Sequence, residues 1–364
     1  MKTVGRSIRE GKPGEGKVGL VLGKFMPPHS GHLYLINFAR EYCERVHVVV
    51  GSLESEPIAG ILRYRWMNEL CGDLQVHHLT DENPQLPEEH PDFWQIWKSS
   101  LERILPEKPD YVFASKAYGD PLAKILDARF VPVNGMRGLI EVSGTAVRDD
   151  PLTHWNLLPP CVRSHYAKRI CIFGPESTGK TTLAKNLAFH YETVWVPEYA
   201  RQLLEAKGGD VEPGDFDWIA RGQMASENAL ARNANKILIC DSDVATTRIW
   251  SEALFDRCPD WIVEEGRQRR YDLHFLADID VPFVDDPIRY LPNERRTFMT
   301  RCIQALEEAG RSYVQLSGSW AQRFEAAHRE IDRRFFSRET PGKTFQAASE
   351  KPRDSHLEKG EAGP

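Results

Sequence analysis

The stretch Lys168 to Thr182, Lys-Arg-Ile-Cys-Ile-Phe-Gly-Pro-Glu-Ser-Thr-Gly-Lys-Thr-Thr, constrains this chain more than any other. Ile170, Cys171, Ile172 and Phe173 form a short apolar run, the pattern of a strand buried on both faces of a parallel sheet. Gly174 and then Gly179-Lys180-Thr181 follow with the spacing G-x-x-x-x-G-K-[ST], and Leu183, Ala184, Leu187 and Ala188 continue at helical spacing. Strand, glycine loop and helix in that order make a phosphate loop. Backbone N–H groups from Gly174 through Ser177, Thr178 and Gly179 to Thr182 turn inward on a phosphate chain, and the helix N-terminus adds its positive dipole end. Lys180 supplies a point charge and Thr181 a hydroxyl for magnesium, so ATP with Mg2+ is the expected phosphoryl donor.

At 364 residues the chain exceeds one ordinary core, which predicts two domains on either side of this central motif. The formal net charge of -6 argues against a general nucleic-acid binder. Seven scattered cysteines with no C-x-x-C pair predict neither a disulfide framework nor a zinc site. No apolar run approaches a membrane span and no secretory signal opens the chain, so a cytoplasmic protein is expected. Residues 1–17 lack an apolar period and read as a disordered leader, as do residues 337–364 as a tail.

Order is expected from Val18. Val18 to Leu22 reads as a strand, Gly23-Lys24-Phe25-Met26-Pro27-Pro28-His29-Ser30-Gly31-His32 as a turn, Leu33 to Cys43 as an amphipathic helix and Val46 to Val50 as a second strand. This βαβ unit places His29 and His32 at the carboxyl end of a strand, where open α/β sheets bind ligands. Zinc is disfavoured because no third ligand lies nearby. The run resembles the H-x-G-H signature of the nucleotidyltransferase superfamily, which implies that His29 and His32, with Lys24, stabilise phosphate oxygens. It also implies that Gly23, Phe25 and Gly31 lie against ATP.

That superfamily carries a second signature at a later helix start, and Glu141-Val142-Ser143-Gly144-Thr145-Ala146-Val147-Arg148 resembles it. Ser143 is suited to cap the helix, with Thr145 beside it, and Arg148 to reach the phosphates of ATP. Between the signatures, Ile58–Cys71 and Phe93–Leu105 read as helices and Gln75–Leu79, Asp110–Ala114 and Phe130–Val133 as strands. Trp66, Trp94 and Trp97 read as core residues. The first domain is expected over 18–158, a linker over 159–167 that keeps the halves close without fixing their orientation, and the second domain over 168–336.

In the second half Thr193–Val196 reads as a strand ending at Glu198, placed to accept a proton from an acceptor hydroxyl. Lys236–Cys240 is an apolar strand running into Asp241-Ser242-Asp243, the form of a magnesium-holding Walker B element. Spacing leaves open which of Glu198, Asp241 and Asp243 is base and which meets the metal; Asp241 is the first choice for metal and Asp243 a catalytic candidate. Asp278 to Arg296 reads as a lid whose Asp286, Arg289, Arg295 and Arg296 close over phosphate. Arg311–Leu316 and Trp320–Phe336 read as the last strand and helix.

Both motif sets on one chain, Gly-Lys-Phe-Met-Pro-Pro-His-Ser-Gly-His followed by Gly-Pro-Glu-Ser-Thr-Gly-Lys-Thr, Glu-Tyr-Ala-Arg and Asp-Ser-Asp, resemble the NadR family over residues 18–336. The resemblance implies an α/β protein of two doubly wound parallel-sheet domains, a Rossmann-like nucleotidyltransferase followed by a P-loop kinase. It also implies two activities, nicotinamide-nucleotide adenylyltransferase and ribosylnicotinamide kinase, with ATP, nicotinamide riboside, nicotinamide mononucleotide and NAD as partners. Homo-oligomerisation is compatible with it. DNA binding, found with an N-terminal helix-turn-helix in some members, is not expected from the Gly- and Lys-containing leader. The lid has Asp286-Pro287 in place of an expected Asp-Gly. Both signatures also occur in other nucleotidyltransferases and small-molecule kinases, so the motifs alone leave another phosphorylated acceptor, or a nucleotide-sensing second half, open.

Overall fold

The computed structural model describes residues 14–115, 118–133, 143–284 and 293–336. Glu141, Val142, Asp286, Arg289, most of the leader and the whole tail lie outside the described residues.

The first half alternates β1 (Gly14–Gly23), α1 (Ser30–Tyr42), β2 (Cys43–Gly51), α2 (Gly60–Cys71), β3 (Gln75–Leu79), α3 (Phe93–Ile104), β4 (Tyr111–Ala114), α4 (Gly119–Ile125), β5 (Arg129–Pro132) and α5 (Gly144–Asp149). Its strands pair in the order β3-β2-β1-β4-β5, all parallel. Alternate residues of β1 face opposite layers: Val21 packs with Ile36 and Met67 under α1 and α2, and Leu20 with Leu101 and Leu122 under α3 and α4. The chain reverses direction across the sheet at β1, so the turn after Gly23 opens into the crevice where such sheets take ligands.

The strand starts earlier than the expected boundary at Val18. Residues 14–17 carry no apolar pattern, yet Gly14 pairs with Cys43, Gly16 N–H donates to Glu44 Oε2 at 2.7 Å and Lys17 pairs with Asp110 at 2.9 Å. Backbone pairing, which leaves no trace in hydropathy, extends the sheet here.

After α6 (Pro160–Tyr166), the second half runs β6 (Lys168–Phe173), α7 (Lys180–His190), β7 (Trp195–Val196), α8 (Tyr199–Lys207), α9 (Asp215–Leu230) and β8 (Ile237–Asp241). It continues through α10 (Val244–Phe255), α11 (Asp260–Gln268), β9 (Leu273–Ala277), α12 (Arg295–Glu308), β10 (Tyr313–Leu316) and α13 (Trp320–Ile331). Its sheet, β10-β9-β6-β8-β7, is again parallel throughout. α7 and α13 cover one face through Leu183, Leu187 and Ile331, and α10 and α12 the other through Ile249, Phe298 and Cys302.

The linker is more than a tether. Trp155, Leu158, Cys161 and Val162 are buried in one apolar cluster with Trp66 and Val147 from the first half and Val196, Ala231, Leu238 and Cys240 from the second. A Glu69–Arg232 ion pair crosses the same junction. The expectation of a link that leaves orientation free is therefore corrected: α6 is wedged through Cys161 and Val162 into a core that both halves share, and that apolar burial ties the halves together. All seven cysteines are free thiols, six of them buried. Among the described residues no helix is long and apolar enough to cross a membrane.

Candidate active sites

At the carboxyl end of β1 the chain turns at Phe25, whose φ is +47°. Its ring is buried in the core and meets His32 edge-on, 5.1 Å between centroids. Phe25 thus offers a ligand its backbone and not its ring. His29 caps α1: its Nδ1 accepts from Gly31 N–H at 3.1 Å. That bond leaves Nε2 as the protonated nitrogen, a donor. Burial pushes the His29 pKa down to about 4, so the ring is neutral at physiological pH. The His32 ring lies beside it, 3.8 Å between centroids.

The second signature folds onto the first. Ser143 caps α5 by accepting from Ala146 N–H at 3.1 Å, Gly144 comes so close that an added Cβ would lie 3.3 Å from Met26 O, and Arg148 Nη1 donates to Met26 O at 3.3 Å. Ser143 and Thr145 are exposed on this edge. Lys24 Nζ pairs with Glu56 at 2.8 Å. Behind them Arg63, fully buried, donates to the Lys24, Gly51 and Ile58 carbonyls and pairs with Glu56. Sequence reasoning placed Arg63 on a helix and gave neither residue a part in the site. The available signal was an arginine in register with the apolar face of α2, next to Met67 and Trp66.

The phosphate loop takes the backbone shape its spelling demands. Gly174 (φ +135°), Ser177 (φ +56°) and Gly179 (φ +80°) turn successive N–H groups to one side. An added Cβ would lie 2.8 Å from Ala277 O at Gly174 and 2.2 Å from the Trp320 ring at Gly179. Arg323, 2% exposed, donates to Thr178 O at 3.0 Å and Gly318 O at 3.0 Å, tying the loop to α13. This support, too, was missed. Lys180 Nζ donates to Pro175 O at 2.8 Å within the loop, and Thr178 Oγ1 to the same oxygen at 2.8 Å. Arg295 from the expected lid reaches Ser177 O at 3.3 Å.

Beside the loop lies a cleft of about 190 Å³ lined by Lys180, Thr181, Thr182 and Glu198. Thr181 Oγ1 donates to Asp241 Oδ2 at 2.5 Å, and Asp241 Oδ1 is buried without a partner. Burial first, and then the negative charge of Glu198, raises the Asp241 pKa to about 6. A hydroxyl touching a carboxylate with an orphaned oxygen suits a hard divalent cation such as magnesium. Glu198 stands at the N-terminal end of α8 but makes no side-chain cap there. Leu204, Val211, Phe216, Ile219, Trp250 and Leu254 make the far end of the cleft apolar.

Asp243 also lines the cleft, from the start of α10. Both of its oxygens are engaged by the fold: Oδ1 accepts from Thr246 N–H at 3.0 Å as the cap of α10, and Oδ2 pairs with Arg311 at 3.2 Å. It is 2% exposed. Of the three acids left open by spacing, Asp241 meets the Thr181 hydroxyl, Glu198 lines the cleft uncommitted to a cap, and Asp243 lines the cleft with its oxygens held by Thr246 and Arg311.

Residues 169–323 match the AAA_28 family, described as an AAA domain. The chain is 27% identical over 82% of its length to the trifunctional NAD biosynthesis/regulator protein NadR of Escherichia coli (strain K12), covering 78% of that protein. It is 26% identical over the same share to the NadR of Salmonella typhimurium. In fold it is similar to the crystal structure of a NadR protein in complex with NR, with a TM-score of 0.75 at 20% identity, covering 90% of this chain and 99% of that one. A second NadR crystal structure, in complex with NAD and AMP-PNP, superposes with a TM-score of 0.73 at 21% identity. The resemblance to the NadR family carried by the motifs is borne out across both halves.

Proposed function

We propose that this chain, similar to the NadR proteins over both of its sheets, is a bifunctional enzyme of NAD biosynthesis. Its second half phosphorylates nicotinamide riboside with ATP to nicotinamide mononucleotide. Its first half adenylylates that mononucleotide with a second ATP, giving NAD and pyrophosphate. The observation that carries the reading is that the similarity to the E. coli protein covers 82% of this chain and so extends into both halves. A cleft that pairs a phosphate loop with apolar and aromatic lining residues supports it.

In the second half, Glu198 accepts the proton of the riboside 5′-hydroxyl as that oxygen attacks the γ-phosphate, and Lys180 leaves Pro175 O to meet the transferring oxygens. Magnesium, held by Thr181 and Asp241, would supply positive charge for the β- and γ-phosphates. In the first half, the phosphate of the mononucleotide attacks the α-phosphate of ATP. The neutral His29 donates from Nε2, and His32, Lys24 and Arg148 stabilise the oxygens of the leaving pyrophosphate. No side chain is covalently modified, so positioning and charge carry both steps. The reading places the enzyme in the cytoplasm with small-molecule partners.

The test is a time course by chromatography with ATP, magnesium and nicotinamide riboside. Mononucleotide followed by NAD is the expected outcome. NAD from added mononucleotide but not from the riboside would reduce the second half to a sensor or a kinase of another acceptor. Lys180→Ala is expected to abolish the first step, with a loss on the order of 10³ in rate or more, and to leave the second intact.

A further inference from the structure

Among the described residues, two that line the kinase cleft, Gln223 and Ser242, carry a buried polar side-chain atom without a hydrogen bond, and Gln223 is the one whose orientation the fold fixes. Gln223 of α9 is 2% exposed and lines the cleft; its Oε1 accepts from Tyr199 N–H at 2.9 Å, whereas Nε2 has no partner. A backbone N–H can only donate, so this bond fixes the amide: the oxygen faces Tyr199 and the NH2 is the part left to meet a bound molecule. The arrangement is built in by the preceding residue. A Cβ at Gly222 would lie 2.1 Å from the Tyr199 ring, so glycine there is what lets the first turn of α8 lie against α9. Tyr199 directly follows Glu198, which puts the amide next to the acid of the cleft. Phe216 and Ile219, two turns and one turn before Gln223 on the same helix, are buried apolar neighbours that offer the amide no hydrogen bond. A buried donor without a partner destabilises the protein that carries it, and a ligand that completes it removes that cost.

We infer that Gln223 is a specificity-determining residue of the kinase half, its Nε2 donating to a carbonyl or hydroxyl oxygen of the acceptor nucleoside. The inference rests on the reading of this cleft as the acceptor site. Acceptors that present a lone pair at that point are selected, and those that present an N–H or a methyl group there are rejected.

The experiment is a cycle of variant against substrate with the full-length protein. Gln223→Met is compared with the unsubstituted enzyme on nicotinamide riboside and on three analogues lacking the 2′-hydroxyl, the 3′-hydroxyl or the carboxamide oxygen. The variant is expected to raise KM for the riboside about tenfold or more while KM for ATP and the rate of adenylyl transfer from added mononucleotide hold. One analogue is expected to lose the same factor on the unsubstituted enzyme and nothing further on the variant. Losses that multiply for every analogue, or a fall in kcat at unchanged KM for the riboside, would show that Gln223 only holds Tyr199 and Glu198, and would overturn the inference. Gln223→Ser carries the same test if the methionine variant is unstable. An unsubstituted enzyme that does not phosphorylate the riboside at all overturns the underlying reading and this inference together.

Discussion

Replacing Asp243 by Asn separates structure from catalysis among the three acids of the cleft. The Asp243–Arg311 pair is held at 3.2 Å with side chains 2% and 5% exposed, and breaking a buried pair by removing one charge typically costs ~3–5 kcal/mol. Asn caps a helix as well as Asp does, so the bond from Thr246 N–H survives. Arg311 keeps the Gly266 and Arg269 carbonyls as acceptors, which puts the expected loss at the lower end, about 3 kcal/mol. For a unit of this size that is a fall in Tm of roughly 6–12 °C. The kinase kcat, measured at a temperature where the variant is folded, is expected to stay within about threefold, since both oxygens of Asp243 are already held by Thr246 N–H and Arg311. Glu198→Gln should do the reverse, leaving Tm within about a degree or two because its side chain caps nothing, and lowering kcat by about 10²–10⁴. A folded Asp243→Asn protein with a hundredfold lower kcat, or a Glu198→Gln protein with near-normal kcat, would refute the assignment.

His29→Asn retains a capping oxygen for Gly31 N–H but lacks the imidazole donor, so adenylyl transfer from the mononucleotide should fall by about 10²–10³ while the kinase step continues. The same variant should be less acid-sensitive. The unfolded chain takes up a proton at this histidine near 6.5 and the folded chain only near 4, so the unfolded state binds more protons in that window and stability falls as pH drops through it. That loss, about 3 kcal/mol at 1.36 kcal/mol per pKa unit, should be present in the parent and absent from the variant when urea titrations at pH 7 and pH 4 are compared. Gly179→Ala, at φ +80° and with its Cβ 2.2 Å from the Trp320 ring, should cost about 1–3 kcal/mol and raise KM for ATP, checked by melting and by kinase kinetics. Because the Asp241 carboxyl titrates near 6, protons compete with magnesium below that pH. The apparent magnesium affinity of the kinase should therefore weaken by about tenfold per pH unit below 6, read as the magnesium concentration giving half-maximal rate.

The alternation of strands and helices was legible wherever hydropathy alternated with it. Gln75–Leu79 was read with the bounds that β3 has, and the strand before the phosphate loop was marked by its own apolar run. β9 was not read, although all five of its residues are buried, because His274 interrupts the apolar run and burial of a histidine has no sequence signature. α4 escaped because Gly119 and Pro121 open it and it is only seven residues long. The candidate sites were legible at their loops, where spacing reports backbone geometry, and not behind them. Arg63, Arg323 and Gln223 read as ordinary polar helix positions; that each is buried and ties carbonyls or amides together depends on which neighbour packs on its face. Trp66 was read as core, but no periodicity says that the core it fills belongs to both halves.

The wedge of α6 has a consequence at the ribosome. When Tyr166 has been made, the first sheet already has all its strands, yet Trp66, Trp155 and Val162 still await Val196, Leu238 and Cys240. At ~5–20 residues per second, the interval before Cys240 is added is about 4–15 s. Over that interval the first-half members of this cluster lack the second-half neighbours they pack against in the folded chain. Separately expressed halves, cut near α6, would leave that cluster without its neighbours for good, so burial, and not only the order of chemistry, favours keeping both on one chain.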